Sequence, residues 1–466
     1  MTSCFPTALR RLGALLVLPG LLALTACTDT PDSPAGRGNI RAINALPDAG
    51  PVQFQIEALV LDTPGYLAAT TYFTYDSLTY DFNFDYGSGL VDGTVRLATT
   101  AFSVVPDTDY TLILLGTQQA ARIISIELPR FEQSGDATML EAFALNLSPT
   151  AGTVDFYVGL PGFDPGAAVP VAASVAPDGF VSLGNLVAEE VQIVVTTAGA
   201  PGAELLRTEP ATLNGDDRVF ISLVDGADEV TSAYAALLVG ELGSVRLIDD
   251  AAPVRSQLVH AAQTEAAVDL YIEPEGEPLT APVFAGVAFG DVTALVDLPV
   301  ADDLATVDVT LTAAGSPGTP LEEVTTVFGD GQATIQVVSG SSADDTLLVT
   351  SLLNSRRPLA DSAQVGFFNA IGQQETVDIY LLEEGDTFDR DTSPRLINNA
   401  QLGSNLSQFR VPPGNFTFYI VREADDVVLL GPLTLDLQAG DLRQFITTDS
   451  ADPGVSALID IDLTSF

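Results

Sequence analysis

Four segments of this chain repeat one pattern at domain-length intervals, and no other feature limits the possible fold so strongly. They are NALPDAGPVQFQI from Asn44, NLSPTAGTVDFYV from Asn146, HAAQTEAAVDLYI from His260 and NAIGQQETVDIYL from Asn369. Each opens on Asn or His and places Val eight positions later, at Val52, Val154, Val268 and Val377. Gln53, Asp155, Asp269 or Asp378 follows, then an aromatic or aliphatic residue. The heads lie 102, 114 and 109 residues apart. Solenoid units run about 20–50 residues, so this spacing fits one self-contained sandwich per repeat.

The later parts of the units agree as well. VQIVVTTAGAPGAELL from Val191 is laid out like VDVTLTAAGSPGTPLE from Val307. A turn with Asp then precedes a final apolar strand in NGDDRVFISL, FGDGQATIQV and AGDLRQFITT, with PDTDYTLILL as the first unit's form. Gly supplies the positive φ of such turns, and Asp hydrogen-bonds their backbone. Short β-branched runs punctuated by Gly, Pro, Asp and Asn every 8–12 residues or so, with almost no helical periodicity, are the all-β pattern. The expected fold is four tandem antiparallel β-sandwich (Ig-like) domains at 39–136, 137–250, 251–360 and 361–466.

The unit head, an apolar strand, Asn or His, a short turn, then VD and an aromatic, resembles the bacterial domain of unknown function 4397. The resemblance implies tandem β-sandwiches on an exported protein and brings no activity with it. The first unit departs from it by carrying Gln53 where the others have Asp.

The N-terminus reads as an export leader over residues 1–26: Arg10 and Arg11, an apolar run from Leu12 to Leu24, and small residues. The run is too short for a comfortable bilayer span, which takes roughly 20 apolar residues. Residues 24–27, LTAC, look like a lipobox, so Cys27 is the expected lipidation site and membrane anchor. Thr28 in place of Asp points, by similarity to lipoprotein sorting, to the outer membrane. Cys4 falls in the leader, which leaves no disulfide in the mature chain. Residues 27–38 then form a Pro- and Gly-bearing spacer.

Eighteen arginines and no lysine face 62 acidic residues, a formal net charge of −44. That field repels phosphate polyanions, so nucleic acid is excluded as a general partner. Like-charge repulsion also keeps strand edges of different molecules apart. The expected partners are the membrane, through the lipid, and a protein or glycan.

His260 is the only His, which removes most acid-base schemes and His-bearing metal sites. It fills the slot of Asn44, Asn146 and Asn369, where an Asn or a neutral His can hydrogen-bond the following turn. Asp155, Asp269 and Asp378 read as strand carboxylates accepting from adjacent turns, and not as a glycan or cation contact. DFNFDYG at 81–87 lacks calcium-loop spacing and reads as an amphipathic strand, with Tyr80, Phe82, Phe84 and Tyr86 inward. The loop EEGDTFDRDTS, with Asp386, Asp389 and Asp391, is the better cation candidate, calcium being the fitting ion. No other cofactor is expected. Phosphate loops, zinc Cys pairs and Ser nucleophile elbows are missing from the sequence. A transmembrane barrel ending at Phe466 is disfavoured, since the in-phase residues are Thr464, Asp462 and Asp460. The expected function is therefore non-catalytic: a lipid-anchored envelope protein displaying its domains for binding, adhesion or scaffolding. The rival is an extracytoplasmic polysaccharide hydrolase with a carboxylate pair in one diverged domain.

Overall fold

The computed structural model describes residues 36–87, 94–226, 232–298, 305–329, 331–372, 376–450 and 455–464. The leader and Cys27 lie outside the described residues. Apart from the single 3-10 turns Gln118–Ala120 and Pro165–Ala167, all regular structure is strand. No helix among the described residues is long and apolar enough to cross a membrane.

Eight sheets pack in four face-to-face pairs, one pair for each repeat. In the second unit the eight strands of the plan common to all units run Met139–Asn146, Val154–Gly159, Ala172–Val175, Phe180–Val187, Glu190–Thr197, Glu204–Arg207, Arg218–Asp225 and Tyr234–Val239, and the short strands Ala211–Thr212 and Ser244–Leu247, added at sheet edges, are left out of the numbering. The first, fourth, seventh and eighth make one sheet; the second, third, fifth and sixth make the other. The same order recurs in every unit, so ordinal strand numbers carry over. First strands are Arg37–Asn44, Met139–Asn146, Arg255–His260 and Ala363–Asn369; seventh strands are Thr108–Leu115, Arg218–Asp225, Ala333–Ser339 and Leu442–Asp449. Arg37 and Gly38, the end of the expected spacer, already belong to the first strand.

The sheets are not wholly antiparallel. First and seventh strands pair in parallel in all four units, as in Phe143 beside Phe220 and Phe367 beside Phe445. Between them the chain crosses to the opposite sheet and returns, so no hairpin forces an antiparallel pair. Parallel strands are usually covered on both faces, and these are. Leu140, Ala142 and Ala144 enter the second unit's own core, while Phe143, Leu145 and Leu147 point the other way.

What covers that outer face is a neighbouring unit. Ile43, Ile113 and Leu115 of the first unit pack against Phe143, Leu145, Phe220 and Leu237 of the second. Val259, Ile335 and Val337 of the third meet Phe368, Leu442 and Ile446 of the fourth. Each unit thus has a private core and half of a shared one.

The two unit pairs also touch. Arg357 donates to the Pro47 and Ala49 carbonyls at 2.6 Å, and its guanidinium lies 4.8 Å from the Tyr66 ring centroid. Arg410 donates to the Tyr86 hydroxyl and to the Gly87 carbonyl, and Tyr86 donates to Asp361 at 3.0 Å. These contacts seat the end of the third unit and the entry end of the fourth on the head end of the first. The last strand, Ser456–Asp462, is the edge of a four-stranded sheet.

Candidate functional site

The head residues occupy one geometry in every unit. Asn44 Oδ1 accepts from the Leu46 amide at 3.1 Å, and its Nδ2 donates to the Pro64 carbonyl. Asn146 accepts from Ser148 and donates to the Gly152 and Val175 carbonyls; Asn369 accepts from Ile371 and donates to Ala400. His260 does the same with a ring: Nδ1 accepts from Ala262 at 3.3 Å, and Nε2 donates to the Ala266 carbonyl at 3.0 Å. All four side chains are buried.

That arrangement requires neutral imidazole. Burial lowers the His260 pKa below its ordinary 6.5, because the charged ring loses its hydration. With the folded value depressed, the His260 contribution to stability is present above the unfolded value and is lost as pH falls through the folded one. His260→Asn should therefore unfold like the parent at pH 8 in urea, and should lose less stability than the parent on acidification below 6.5. Equal losses in both proteins would reject this role.

The strand carboxylates are clamps. Asp155 accepts from Ser174 at 2.7 Å and Gly199 at 2.8 Å; Asp269 accepts from Gly286 and Gly315, both at 2.7 Å. Ser174, Gly286, Gly199 and Gly315 all have positive φ. The first of each pair sits at a bulge in the third strand, where the ladder shifts register opposite the carboxylate. Asp378 accepts from Asn399 at 2.9 Å, with φ 54°, but takes Arg390 at 2.5 Å and Arg395 at 3.1 Å as its other partners. In the first unit a tight turn with Glu57 at φ 54° joins the second and third strands, and Gln53 accepts from Gln55.

The carboxylates of the acidic loop are not brought together. Among the described residues no three His, Cys, Asp or Glu side chains form a group fit to hold a metal ion. Asp386, Asp389 and Asp391 do not converge because turn formation takes them: Asp389 accepts from the Asp391 amide at 2.9 Å, and the Asp386 amide bonds back to Glu383. Arg390 supplies the positive charge there, reaching Asp378, Asp426 and Tyr380. In DFNFDYG, Phe82, Phe84 and Tyr86 are buried in the core, and Arg96 bridges Asn83 and Asp85 on the opposite face.

Two groups of functional geometry have no local sequence signal. The first is a left-handed residue that crosses under each head: the amides of Leu67, Asp178, Gly290 and Gly403 donate to the Asn44, Asn146, His260 and Asn369 carbonyls at 2.7–2.8 Å. Asp178-Gly179, Gly290-Asp291 and Gly403-Ser404 are ordinary turn dipeptides, and with Leu67 the crossing residues lie 23, 32, 30 and 34 positions after their heads, so no fixed spacing marks them. The second is a polar cluster between the first two units. Arg41 donates to Gly240 O at 2.6 Å and lies over Tyr72 and Phe220; Arg218 joins Asp109 at 3.1 Å and Glu141 at 2.6 Å. Burial pushes the nearby Glu241 carboxyl up, against the pull of Arg41. A cleft of about 290 Å³, lined by Arg130, Glu141, Asp216, Asp217 and Arg218 among others, opens beside it.

Fold and site together define an all-β protein of paired sandwiches whose repeated polar residues hold turns. Residues 38–157 match the family model described as Domain of unknown function (DUF4397). No curated protein matches the sequence. A solved structure described as "Alpha-glucan recognition by family 41 carbohydrate-binding modules from streptococcal virulence factors" is similar at 12% identity over 43% of this chain and 94% of that one, with a TM-score of 0.16. A likeness that slight has no bearing on what this chain binds.

Proposed function

We propose that the chain is a lipid-anchored envelope protein, tethered through Cys27, whose four sandwich units act without catalysis as one block for binding, adhesion or scaffolding. The observation that carries this reading is where the repeated polar residues go. Three buried Asn, one buried His and three buried Asp are all engaged with backbone amides, carbonyls or arginines of their own unit. A residue so buried and engaged is turned away from any substrate, and it recurs because each unit needs its turns closed. The shared cores add rigidity, which suits display of end loops to a protein or glycan partner.

Anchoring rests on the LTAC sequence ending at Cys27 and the leader before it. Cys27→Ser should move the protein from the membrane pellet to the soluble fraction on cell fractionation. An unchanged pellet would overturn the anchor.

A further inference from the structure

We propose that the first two units rest on the bilayer surface through the sandwich ends at which the chain enters, with exposed apolar loop tips seated among zwitterionic headgroups. This rests on the anchor at Cys27 proposed above. The first two units are aligned end to end with each other's strands. Asp109 and Arg218, both at strand starts, form one contact; Tyr66 with the Asp225 carbonyl, and Arg122 with Asp178, form others at the opposite ends. The entry ends of both units therefore face one side.

At the first unit's entry end the loops close around the incoming chain. Ser77 donates to the Gly36 carbonyl at 3.1 Å, Asp107 to Arg37 at 2.9 Å, and Val104 to Leu78 at 2.9 Å. Leu78 and Val105, at the tips of these loops, are 52% and 51% exposed. In the second unit, Leu160 follows the second strand, Val169 precedes the third, and Leu242 sits in the turn after the eighth. All three are at the same end, because those strands run opposite to, or start beside, the entry of the first strand. They are 60%, 85% and 95% exposed.

Single exposed apolar residues are ordinary. Five at one end, beside the tether, are a patch with a direction. Gly36 lies nine positions after Cys27, so the chain between them extends on the order of 30 Å at most. A lipidated Cys27 thus keeps this end of the first unit within that distance of the bilayer. Apolar tips on a membrane-tethered body add interfacial burial to that of the lipid.

The chain holds no Trp, so a single Trp reports its own surroundings. Leu78→Trp and Leu242→Trp in the full-length lipidated protein would be compared on phosphatidylcholine and phosphatidylethanolamine vesicles with brominated acyl chains. Val95→Trp is the control, since Val95 pairs with Tyr86 at the far end of the first unit. The expected result is blue-shifted, quenched emission for the first two and unchanged emission for the third. Solvent-like emission from Leu78→Trp and Leu242→Trp, on protein that cosediments with the vesicles, overturns the docking and leaves the anchor standing. Quenching of all three also overturns it, since the block then lies on its side. Failure of the parent protein to cosediment overturns the anchor, and the docking with it.

Discussion

Asp269→Ala should destabilise the third unit by about 3–5 kcal/mol, since each hydrogen bond to a charged acceptor is worth roughly 1.5–3 kcal/mol. The buried carboxylate accepts from the Gly286 and Gly315 amides and has no arginine beside it. Without it two N–H groups at positive-φ positions lose their acceptor together. Asp269→Asn should rescue little: one amide oxygen serves one of these donors, while its NH2 faces the other N–H. Urea unfolding of both variants, followed by far-UV circular dichroism, measures this. A loss below about 1 kcal/mol, the worth of an ordinary hydrogen bond, would show that the clamp is dispensable.

Phe368→Ala should cost about 3–5 kcal/mol as a buried aromatic deletion, and the loss should be felt in two units at once. Phe368 belongs to the fourth unit, yet its ring packs in the core shared with Val259, Ile335 and Val337 of the third. Hydrogen exchange should therefore quicken in the third unit's strands Arg255–His260 and Ala333–Ser339 as well as in the fourth's. Phe367→Ala, one residue earlier, opens into the fourth unit's private core. Its effect should stay mostly within that unit. Identical exchange patterns for the two variants would mean that the shared core does not couple the units.

Much of this architecture is legible in the residues. The Asn or His heads mark each first strand's end because a buried side chain there must both accept and donate, and only a few residue types can. The VD pairs mark the second strands, and the alternation in DFNFDYG gives the inward Phe82 and Phe84. Less legible are the partners of those polar groups. Asp269 meets amides 17 and 46 residues downstream, and its need for positive-φ donors depends on a bulge that no local propensity encodes. The acidic loop at Asp386, Asp389 and Asp391 invites a cation by composition, but Arg390 lies within it and takes the charge.

By itself the sequence determined the repeated β-sandwich and the place of each head and strand carboxylate. Those follow from periodicity and turn chemistry, which act within a few residues along the chain. Only the tertiary structure decided that first and seventh strands pair in parallel and which unit covers which. Every first strand carries apolar residues on both faces, such as Ile40 and Ile43, Leu140 and Phe143, Leu258 and Val259, Phe367 and Phe368, and hydrophobic burial is non-directional, so the pattern demands a cover without naming it. The selection is made by contacts remote in sequence, such as Arg41 meeting Gly240 across 199 residues and Arg357 meeting Pro47 across 310.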